Sequence, residues 1–417
     1  MLDFAQNKSS SSSLSNPSSP QYKSVEWLAQ DMVDNGSPWR GYELVQQYVL
    51  RVLYHSTHGG GWSAGFGSFD ASDTWFSASR VCDWGSLHAE CNGNSHLVDR
   101  LDLLGNNLKG RIPSELGHLT ALTYLEFFGN QLDGSIPSEL GKLTVLTYLG
   151  LEMNKLTGVI PTQLGQLTAL EELYLCDNRL DGSIPSELGK LTALRLLWLE
   201  YNQIFGTIPN ELGQLTRLAY LDLFENQLTG TIPSQLGQLF AMTRMDLEGN
   251  QLTGTIPTQL GQLTALINLW LSTNQLDGSI PDELGQLTAL EVLALVQARL
   301  TGTIPTQLGQ LTTLTILDLG GNQLTGTIPS QLGQLTALTF LALSDNQLIG
   351  TIPRTLTQLT NLNVLYLHRN YFIGRVPMLF CTAPFPDWIA DDDGSDENQL
   401  AADCMSEVQC SCCDFCA

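Results

Sequence analysis

Residues 218–240 read LAYLDLFENQLTGTIPSQLGQLF, and variants of this stretch recur along the chain every 24 residues. The most regular member is an asparagine, which returns eleven times, at Asn106, Asn130, Asn154, Asn178, Asn202, Asn226, Asn250, Asn274, Asn322, Asn346 and Asn370. Ala298 stands where the ninth of twelve asparagines would fall. Repetition at a period of about 20 to 30 residues with this leucine spacing predicts a solenoid, in which each repeat forms one coil.

The leucines of each repeat predict how its coil folds. In the L-x-L segment, seen at Leu221 to Leu223, successive side chains point to opposite faces of a short strand, so both leucines face inward. One coil cannot bury its leucines alone, and neighbouring coils therefore stack around a shared core. We expect a parallel sheet of about twelve strands. The buried asparagine is expected to satisfy backbone groups of adjacent coils, so Ala298 is expected to cost its coil one or two hydrogen bonds.

The half-repeat LTGTIPTQLGQL at Leu252–Leu263 resembles the plant-type subclass of leucine-rich repeats. This resemblance extends over Val98–Pro377, about two-thirds of the chain. It implies an α/β solenoid, a right-handed leucine-rich-repeat superhelix of about 12 coils. The parallel β-sheet would form the concave face, the G-x-I-P segment would add a second short strand, and caps containing cysteines would close both ends.

The flanks of the repeats divide the chain into four predicted segments. Residues 1–20 are rich in serine and proline, which predicts a disordered tail. Residues 21–97 form an N-terminal cap, with helices predicted near Gln21–Gln30 and at Tyr42–His55. In the second of these, apolar residues recur at helical spacing. Residues 98–377 form the solenoid, and residues 378–417 form an acidic, cysteine-rich C-terminal cap.

Cysteines are concentrated in the two caps. Cys82-Asp83-Trp84-Gly85 followed by Cys91 is similar to the cap element of the plant-type family, which implies a Cys82–Cys91 disulfide. The six C-terminal cysteines, also predicted to form disulfides, are Cys381, Cys404, Cys410, Cys412, Cys413 and Cys416. Their pairing is not fixed by the sequence. The close spacing of the last four leaves zinc as an alternative, although an oxidising compartment favours disulfides, and we expect no metal.

The sequence shows no catalytic constellation, and we expect neither enzymatic activity nor a cofactor. His55 and His58 lie three residues apart, but no carboxylate or cysteine pattern joins them into a metal or nucleophile site. The acidic run at residues 391–394 fails as an EF-hand, because Leu400 falls where the loop requires glutamate. A solvated acidic loop is the expectation there, with loose calcium binding as the alternative.

Charge and composition limit the possible partners and locations. The net charge of −23 disfavours nucleic acid and anionic membrane surfaces. No stretch is apolar enough for a membrane span, yet nine cysteines are typical of secreted proteins. The lead-in at Ser19–Leu28 and the C-terminal cysteines resemble leucine-rich-repeat receptor-like proteins of diatoms and related algae. That resemblance implies an extracellular or cell-surface location, reached through a segment upstream of this sequence, with the cytoplasm as the alternative.

The variable surface of the repeats is the concave face of the sheet. Its outward positions carry aromatic and acidic residues, whereas the loop positions repeat almost unchanged. The predicted ligand-binding residues are Tyr124, Phe128, Tyr148, Glu152, Tyr174, Trp198, Glu200, Tyr201, Tyr220, Asp222, Phe224, Asp246, Glu248 and Trp270. Aromatic rings give large contacts with few mobile bonds, and carboxylates add directional acceptors. Cys176 lies among them and is expected to be inert.

These features predict a non-catalytic recognition module, a receptor-like or adhesive ectodomain that binds a peptide, protein or polysaccharide on the concave face. One alternative is a structural surface facing ice or mineral, because T-G-T recurs at Thr229/Thr231, Thr253/Thr255, Thr301/Thr303 and Thr325/Thr327. Another is an inhibitor of a secreted hydrolase, implied by resemblance to plant wall-protein inhibitors. The oligomeric state and the identity of the ligand stay open.

Overall fold

The computed structural model describes residues 8–9, 11–34, 41–61, 89–91 and 97–373. The chain divides into two compact units, Met1–Phe205 and Gly206–Ala417. Cys82, the six C-terminal cysteines, the acidic run at 391–394 and the whole predicted C-terminal cap lie outside the described residues. No helix in the described ranges is long and apolar enough to cross a membrane.

Three α-helices precede the repeats in the first unit: α1 at Ser11–Leu14, α2 at Pro20–Asp34 and α3 at Tyr42–Ser56. The two longer helices confirm the two predicted near Gln21–Gln30 and at Tyr42–His55. Part of the segment for which composition predicts disorder therefore has regular structure, and Leu14 within it is buried. One buried leucine can hold a serine-rich segment against the rest of the unit, although the average composition of the segment is polar.

Helix α3 covers the start of the repeats in this unit. The side-chain oxygen of Gln46 accepts a hydrogen bond from the Val98 N–H, and the Thr57 carbonyl accepts one from the Lys109 N–H at 3.1 Å. The helix thus satisfies backbone groups of the first coil, which would otherwise be exposed at the end of the core.

The L-x-L segments form the strands of the main sheet, as predicted. In the first unit the strands are Ala89–Cys91, Val98–Asp102, Tyr124–Glu126, Tyr148–Gly150, Glu172–Tyr174 and Leu196–Trp198. In the second unit they are Tyr220–Asp222, Arg244–Asp246, Asn268–Trp270, Val292–Ala294, Ile316–Asp318, Phe340–Ala342 and Val364–Tyr366. Ala89–Cys91 pairs antiparallel with its neighbour, and consecutive strands after it are parallel within each unit.

Shorter elements complete each coil. A second set of short strands comprises Lys109–Arg111, Gln131–Asp133, Thr157–Gly158, Arg179–Leu180, Phe205–Thr207, Gln227–Thr229, Thr253–Gly254, Gln275–Leu276, Ile349–Gly350 and Tyr371–Phe372. The 3-10 helices are Gly59–Gly61, Ser114–His118, Ser138–Lys142, Thr162–Gln166, Ser186–Lys190, Asn210–Gln214, Ser234–Gln238, Thr258–Gln262, Asp282–Gln286, Thr306–Gln310, Ser330–Gln334 and Arg354–Gln358. The glycine of L-G-x-L lets successive 3-10 helices approach: a Cβ on Gly141 would lie 2.4 Å from the Gln163 carbonyl oxygen.

The repeated asparagine connects neighbouring coils, as predicted. Asn154 is buried, and its Nδ2 donates to the carbonyls of Phe127 at 2.9 Å and Leu151 at 3.1 Å. Its Oδ1 accepts the Leu132 N–H at 3.0 Å. Asn250, Asn322 and Asn346 make the corresponding bonds in the second unit. One side chain thus satisfies backbone groups of two coils, which explains why it recurs in a leucine-rich interior.

The coil that contains Ala298 shows what is lost without the amide. In other coils, the side-chain oxygen of the repeated asparagine accepts a leucine N–H of the preceding coil. The equivalent donor here is the Leu276 N–H, and no acceptor for it is found within the described ranges. Asn322 compensates in part, since its Oδ1 accepts both the Leu300 N–H at 2.9 Å and the Ala298 N–H at 3.1 Å. The sheet nevertheless keeps its register through this coil, from Leu269 to Leu293 and on to Leu317.

Candidate ligand-binding face

The candidate site lies on the open side of the main sheet, which we call the sheet face. Strand residues alternate between the core and this face, so the residues that flank the buried leucines point outward. The predicted residues up to Tyr201 belong to the first unit and those from Tyr220 onward to the second. Each unit therefore carries its own set, with its own geometry.

Four aromatic side chains of the first unit form a continuous row, which we call the aromatic row: Tyr124, Tyr148, Tyr174 and Trp198. The rings of Tyr124 and Tyr148 stack with centroids 4.2 Å apart. Tyr148 and Tyr174 are tilted at 5.3 Å, and Tyr174 meets Trp198 edge-on at 5.0 Å. The parallel register explains the contacts, because Tyr124 pairs with Tyr148 and Tyr174 pairs with Trp198 on adjacent strands.

Glu126 is the first carboxylate along the aromatic row. Its Oε2 accepts the Tyr148 hydroxyl at 2.5 Å, and its Oε1 accepts the Phe128 N–H at 2.7 Å. Gly150 makes this position possible, since a Cβ there would lie 2.5 Å from Glu126 Oε1. Burial raises the pKa of Glu126, because a charged carboxylate is poorly solvated in a buried position. The missing side chain at Gly150 thus leaves room for a carboxylate inside the row.

A second group of ionisable side chains lies two residues after the strand ends, at Glu152, Cys176 and Glu200. Burial raises the pKa of Glu152 to about 8, and the charges of Glu126 and Glu200 add to this rise. Its Oε2 atom is buried and has no hydrogen-bond partner among the described residues. Burial, with Glu200 beside it, raises the pKa of the Cys176 thiol well above its usual range. Cys176 is therefore a buried, protonated thiol, in line with the expectation that it is inert.

Glu172 completes the acidic border of the aromatic row. Its Oε2 accepts the Tyr174 hydroxyl at 2.7 Å. Burial, followed by this hydrogen bond, raises the pKa of Tyr174 above its usual range, with further contributions from Glu152 and Glu126. The aromatic row is thus bordered by several carboxylates, and Tyr201 stands exposed beside its end in a left-handed conformation with φ of 52°.

Arginine has a place on the sheet face that the predicted set lacked. In the first unit, the Arg100 guanidinium lies 3.4 Å from the Tyr124 ring centroid and 2.8 Å from Asp102 Oδ2. In the second unit, Arg244 lies 4.6 Å from the Trp270 centroid, 3.4 Å from Asp222 and 3.5 Å from Asp246. The 24-residue register could have revealed both arginines, because each occupies the outward position before the first buried strand residue, which is Leu101 after Arg100 and Met245 after Arg244.

Asp222 and Asp246 are predicted as open ligand contacts, whereas the structure leaves only 7% of each residue exposed. Each carboxylate turns back to accept the N–H two residues further on, from Phe224 at 3.2 Å and Glu248 at 3.1 Å. Burial, followed by the neighbouring Asp222, raises the pKa of Asp246 to about 7. Both aspartates thus hold the turn after the strand and orient Arg244.

The remaining predicted residues of the second unit are more accessible. Tyr220 is 39% exposed, and Phe224, Glu248 and Trp270 are partly exposed. A further aromatic contact, outside the predicted set, joins Phe340 and Tyr366 with ring centroids 5.6 Å apart. The second sheet face therefore consists of separate small clusters, in contrast to the aromatic row.

Sequence-family models agree with this architecture. A leucine-rich repeat region matches residues 82–208 and 206–325, and a leucine rich repeat model matches residues 312–372. Together these matches cover more than half of the chain. The chain belongs to the leucine-rich-repeat family.

Solved structures place this leucine-rich-repeat chain beside plant receptor ectodomains. The structure of PEPR1–AtPEP1 has a TM-score of 0.67 and 34% identity, and the match covers 75% of this chain and 47% of that one. The ectodomain of the Arabidopsis receptor kinase HAESA, in complex with an extended IDA peptide hormone, has a TM-score of 0.67 and 34% identity. That match covers 81% of this chain and 55% of HAESA. The chain thus spans about half the length of these ectodomains.

A third similar structure has a different activity. A plant ice-binding protein matches with a TM-score of 0.56 and 28% identity, over 76% of this chain and 94% of that protein. No curated protein sequence gives a significant match. The same leucine-rich-repeat fold therefore occurs in similar proteins with different ligands, and the outward residues must decide what each one binds.

Proposed function

We propose that this chain is a non-catalytic recognition module, a receptor-like or adhesive ectodomain, whose aromatic row binds an extended peptide or protein segment. The observation that carries the proposal is the contact between Tyr124, Tyr148, Tyr174 and Trp198 on consecutive strands. Three strand spacings correspond to ~14 Å, which is about the length of four extended residues. Such a row offers a continuous aromatic surface whose rings already contact one another before a ligand arrives.

The proposed location is extracellular or at the cell surface. Cys91 is disulfide-bonded, which favours an oxidising compartment. Its proposed partner is Cys82, which lies outside the described residues. The peptide complexes of PEPR1 and HAESA support a peptide ligand by similarity of fold. The carboxylates along the row favour a partner that carries positive charge.

The proposal can be tested with an unbiased displayed-peptide library selected against the full chain. Peptides that bind should lose affinity by at least about tenfold when Tyr174→Ala or Trp198→Ala removes part of the row, because buried aromatic contacts dominate such interfaces. Phe240→Ala is the matched control, since Phe240 is 63% exposed and follows the 3-10 helix Ser234–Gln238. Selected peptides that bind all variants equally would rule out the aromatic row. Failure to select any peptide, together with binding to a glycan array screened in parallel, would move the proposal to a polysaccharide ligand.

A second candidate function is an ice-facing surface, favoured by a threonine array in the second unit. Thr231, Thr255, Thr303 and Thr327 are exposed at the same position of their coils. Each methyl packs against the next coil, since a Cβ on Gly254 would lie 2.9 Å from Thr231 Cγ2. This packing fixes the side chains at the spacing of the coils. The similarity to a plant ice-binding protein adds support, whereas serine at position 279 and aspartate at 277 interrupt the rows.

Inhibition of ice recrystallisation by the full chain tests this candidate. The intact array should inhibit ice growth, and Thr255→Lys together with Thr303→Lys should weaken inhibition by placing long charged side chains in the row. Thr258→Lys, exposed on the 3-10 helix Thr258–Gln262, is the control. A chain without activity, or an array variant as active as the control, would remove this function.

A further inference from the structure

We propose that the Trp198 end of the aromatic row is a subsite for an arginine side chain of the bound ligand. The inference rests on the proposed function and specifies the chemistry of its ligand. It follows from a comparison of three aromatic residues of the sheet face. An arginine of the chain lies over the rings of Tyr124 and Trp270, whereas none lies over Trp198 among the described residues.

The second unit shows a filled version of the arrangement. Arg244 lies 4.6 Å from the centroid of the Trp270 ring, and the carboxylates of Asp222 and Asp246 contact its guanidinium at 3.4 and 3.5 Å. The aromatic ring and the carboxylates thus contact the same cation. A guanidinium suits both contacts, because it is planar, always charged and weakly hydrated.

The first unit repeats the arrangement at its other end. Arg100 lies 3.4 Å from the Tyr124 centroid and contacts Asp102 at 2.8 Å. The aromatic row therefore already contains one bound guanidinium, supplied by the neighbouring coil. Two independent positions on this scaffold thus show the same recognition of arginine by an aromatic ring and a carboxylate.

The register of the repeats shows what is different at Trp198. Arg244 precedes Trp270 by 26 residues, and the residue 26 positions before Trp198 is Glu172. Both lie on the strand before their tryptophan and face outward. The position that supplies a cation to Trp270 therefore supplies a carboxylate to Trp198.

The surroundings of Trp198 are anionic and lack a cation. Across the described residues, no lysine or arginine lies over the Trp198 ring, which is partly exposed. Glu172 lies against the Tyr174 hydroxyl, and the buried Oε2 of Glu152 has no hydrogen-bond partner in the described part of the chain. An incoming guanidinium would pair with the Glu172 carboxylate and cover the indole ring.

The test uses the full chain and the blocked peptide Gly-Gly-Arg-Gly-Gly, with matched peptides that carry lysine or citrulline in place of arginine. The indole N–H signal of Trp198, assigned by its loss in Trp198→Phe, is followed by NMR during titration. We expect a saturable shift with the arginine peptide and none with citrulline, which has the same shape without the charge. The lysine peptide should bind at least about threefold more weakly, because its compact ammonium does not stack.

Two substitutions of Glu172 separate the subsite from general effects of charge. Glu172→Gln should weaken binding of the arginine peptide at least about fivefold, through loss of a charged acceptor. Glu172→Arg should abolish binding, because it places a cation of the chain beside Trp198, at the position that Arg244 occupies beside Trp270. Glu171→Gln removes the same charge from an exposed side chain and should leave binding unchanged. Preserved NMR signals elsewhere in the variants establish that they are folded.

Equal shifts with the arginine and citrulline peptides, or unchanged binding in Glu172→Gln, would overturn the arginine subsite. The library selection described above reports separately on the proposed function. A selected peptide that tolerates citrulline in place of every arginine would support peptide binding while overturning the subsite. An arginine-specific shift of Trp198 without any selected peptide would support the subsite while overturning peptide binding as the function.

Discussion

The sheet faces of the two units carry opposite charges at the same position of the repeat: an arginine beside Trp270 and a glutamate beside Trp198. Around Trp270 in the second unit, Arg244 contacts two aspartates, so a cation of the chain offsets part of their charge. Around Trp198 in the first unit, the corresponding position is Glu172, and Glu152 of the same unit has a buried oxygen without a partner among the described residues. Under the proposed arginine subsite, the first face would take a cation from its ligand, whereas the second already has its own.

This difference shows how a repetitive scaffold separates stability from recognition. The leucines and asparagines of the interior are nearly the same in every coil, and they keep the register constant. Because the register is constant, a change of one outward residue alters the charge at a fixed place beside a fixed aromatic ring. Three substitutions, one on each face and one in the interior, test this difference.

Removing Arg244 should leave two buried carboxylates of the second face without the cation that contacts them. Arg244→Leu leaves Asp222 and Asp246, whose side chains are each 10% exposed, without their cation. We expect the free energy of unfolding to fall by about 2 kcal/mol at pH 8, allowing for the partial exposure of the arginine. Burial has already raised the pKa of Asp246 to about 7, so protonation at pH 5 should reduce the loss.

Urea unfolding at both pH values measures this effect. Arg217→Leu, which removes an exposed arginine of the same unit, is the control for net charge. A loss of stability equal to that of the control would show that the aspartates do not depend on Arg244, and the contrast between the two faces would disappear.

Neutralising Glu152 should relieve the unpaired charge of the first face. Burial raises the pKa of this carboxyl from 4.5 to about 8, so the folded protein holds the proton more tightly than the unfolded chain. Its contribution to stability is complete at pH 4 and is lost as the pH rises to 8. Glu152→Gln should therefore raise the free energy of unfolding by about 1.5 kcal/mol at pH 8, after allowance for screening by solvent, and add little at pH 4.

Urea unfolding of Glu152→Gln between pH 4 and pH 8 provides the measurement. Glu171→Gln changes the net charge equally on an exposed side chain and is the matched control. Parallel stability curves for wild type and Glu152→Gln would mean that Glu152 already has a partner, and the first face would then resemble the second.

Restoring the interior asparagine should act independently of either face. Ala298→Asn offers an acceptor to the Leu276 N–H and should stabilise the protein by about 1 kcal/mol. The gain should be the same at pH 5 and pH 8, because no charge is involved. Ala298→Ser, which lacks the amide, is the control in thermal or urea unfolding. A gain that depends on pH would contradict the separation of the interior from the sheet faces.

Much of the architecture could be predicted because residues 24 positions apart in the sequence lie side by side on neighbouring coils. The spacing of Asn154 and its counterparts predicted a bond between coils, and the L-x-L segments predicted parallel strands. The apolar face of Tyr42–His55 predicted helix α3. The aromatic residues of the first face could be identified as outward for the same reason, although their contacts with one another could not.

The coil, its strands and the role of the asparagine follow from the sequence alone, because they depend on a pattern that recurs in every repeat. The burial of Asp222 and Asp246, and the positions of Arg100 and Arg244 over aromatic rings, are visible only in the three-dimensional structure. The same is true of Glu126, which occupies the space left by Gly150. These features depend on the direction each side chain takes toward the neighbouring coil. That direction follows from packing and electrostatics between residues about 24 positions apart, which the pattern of a single repeat does not contain.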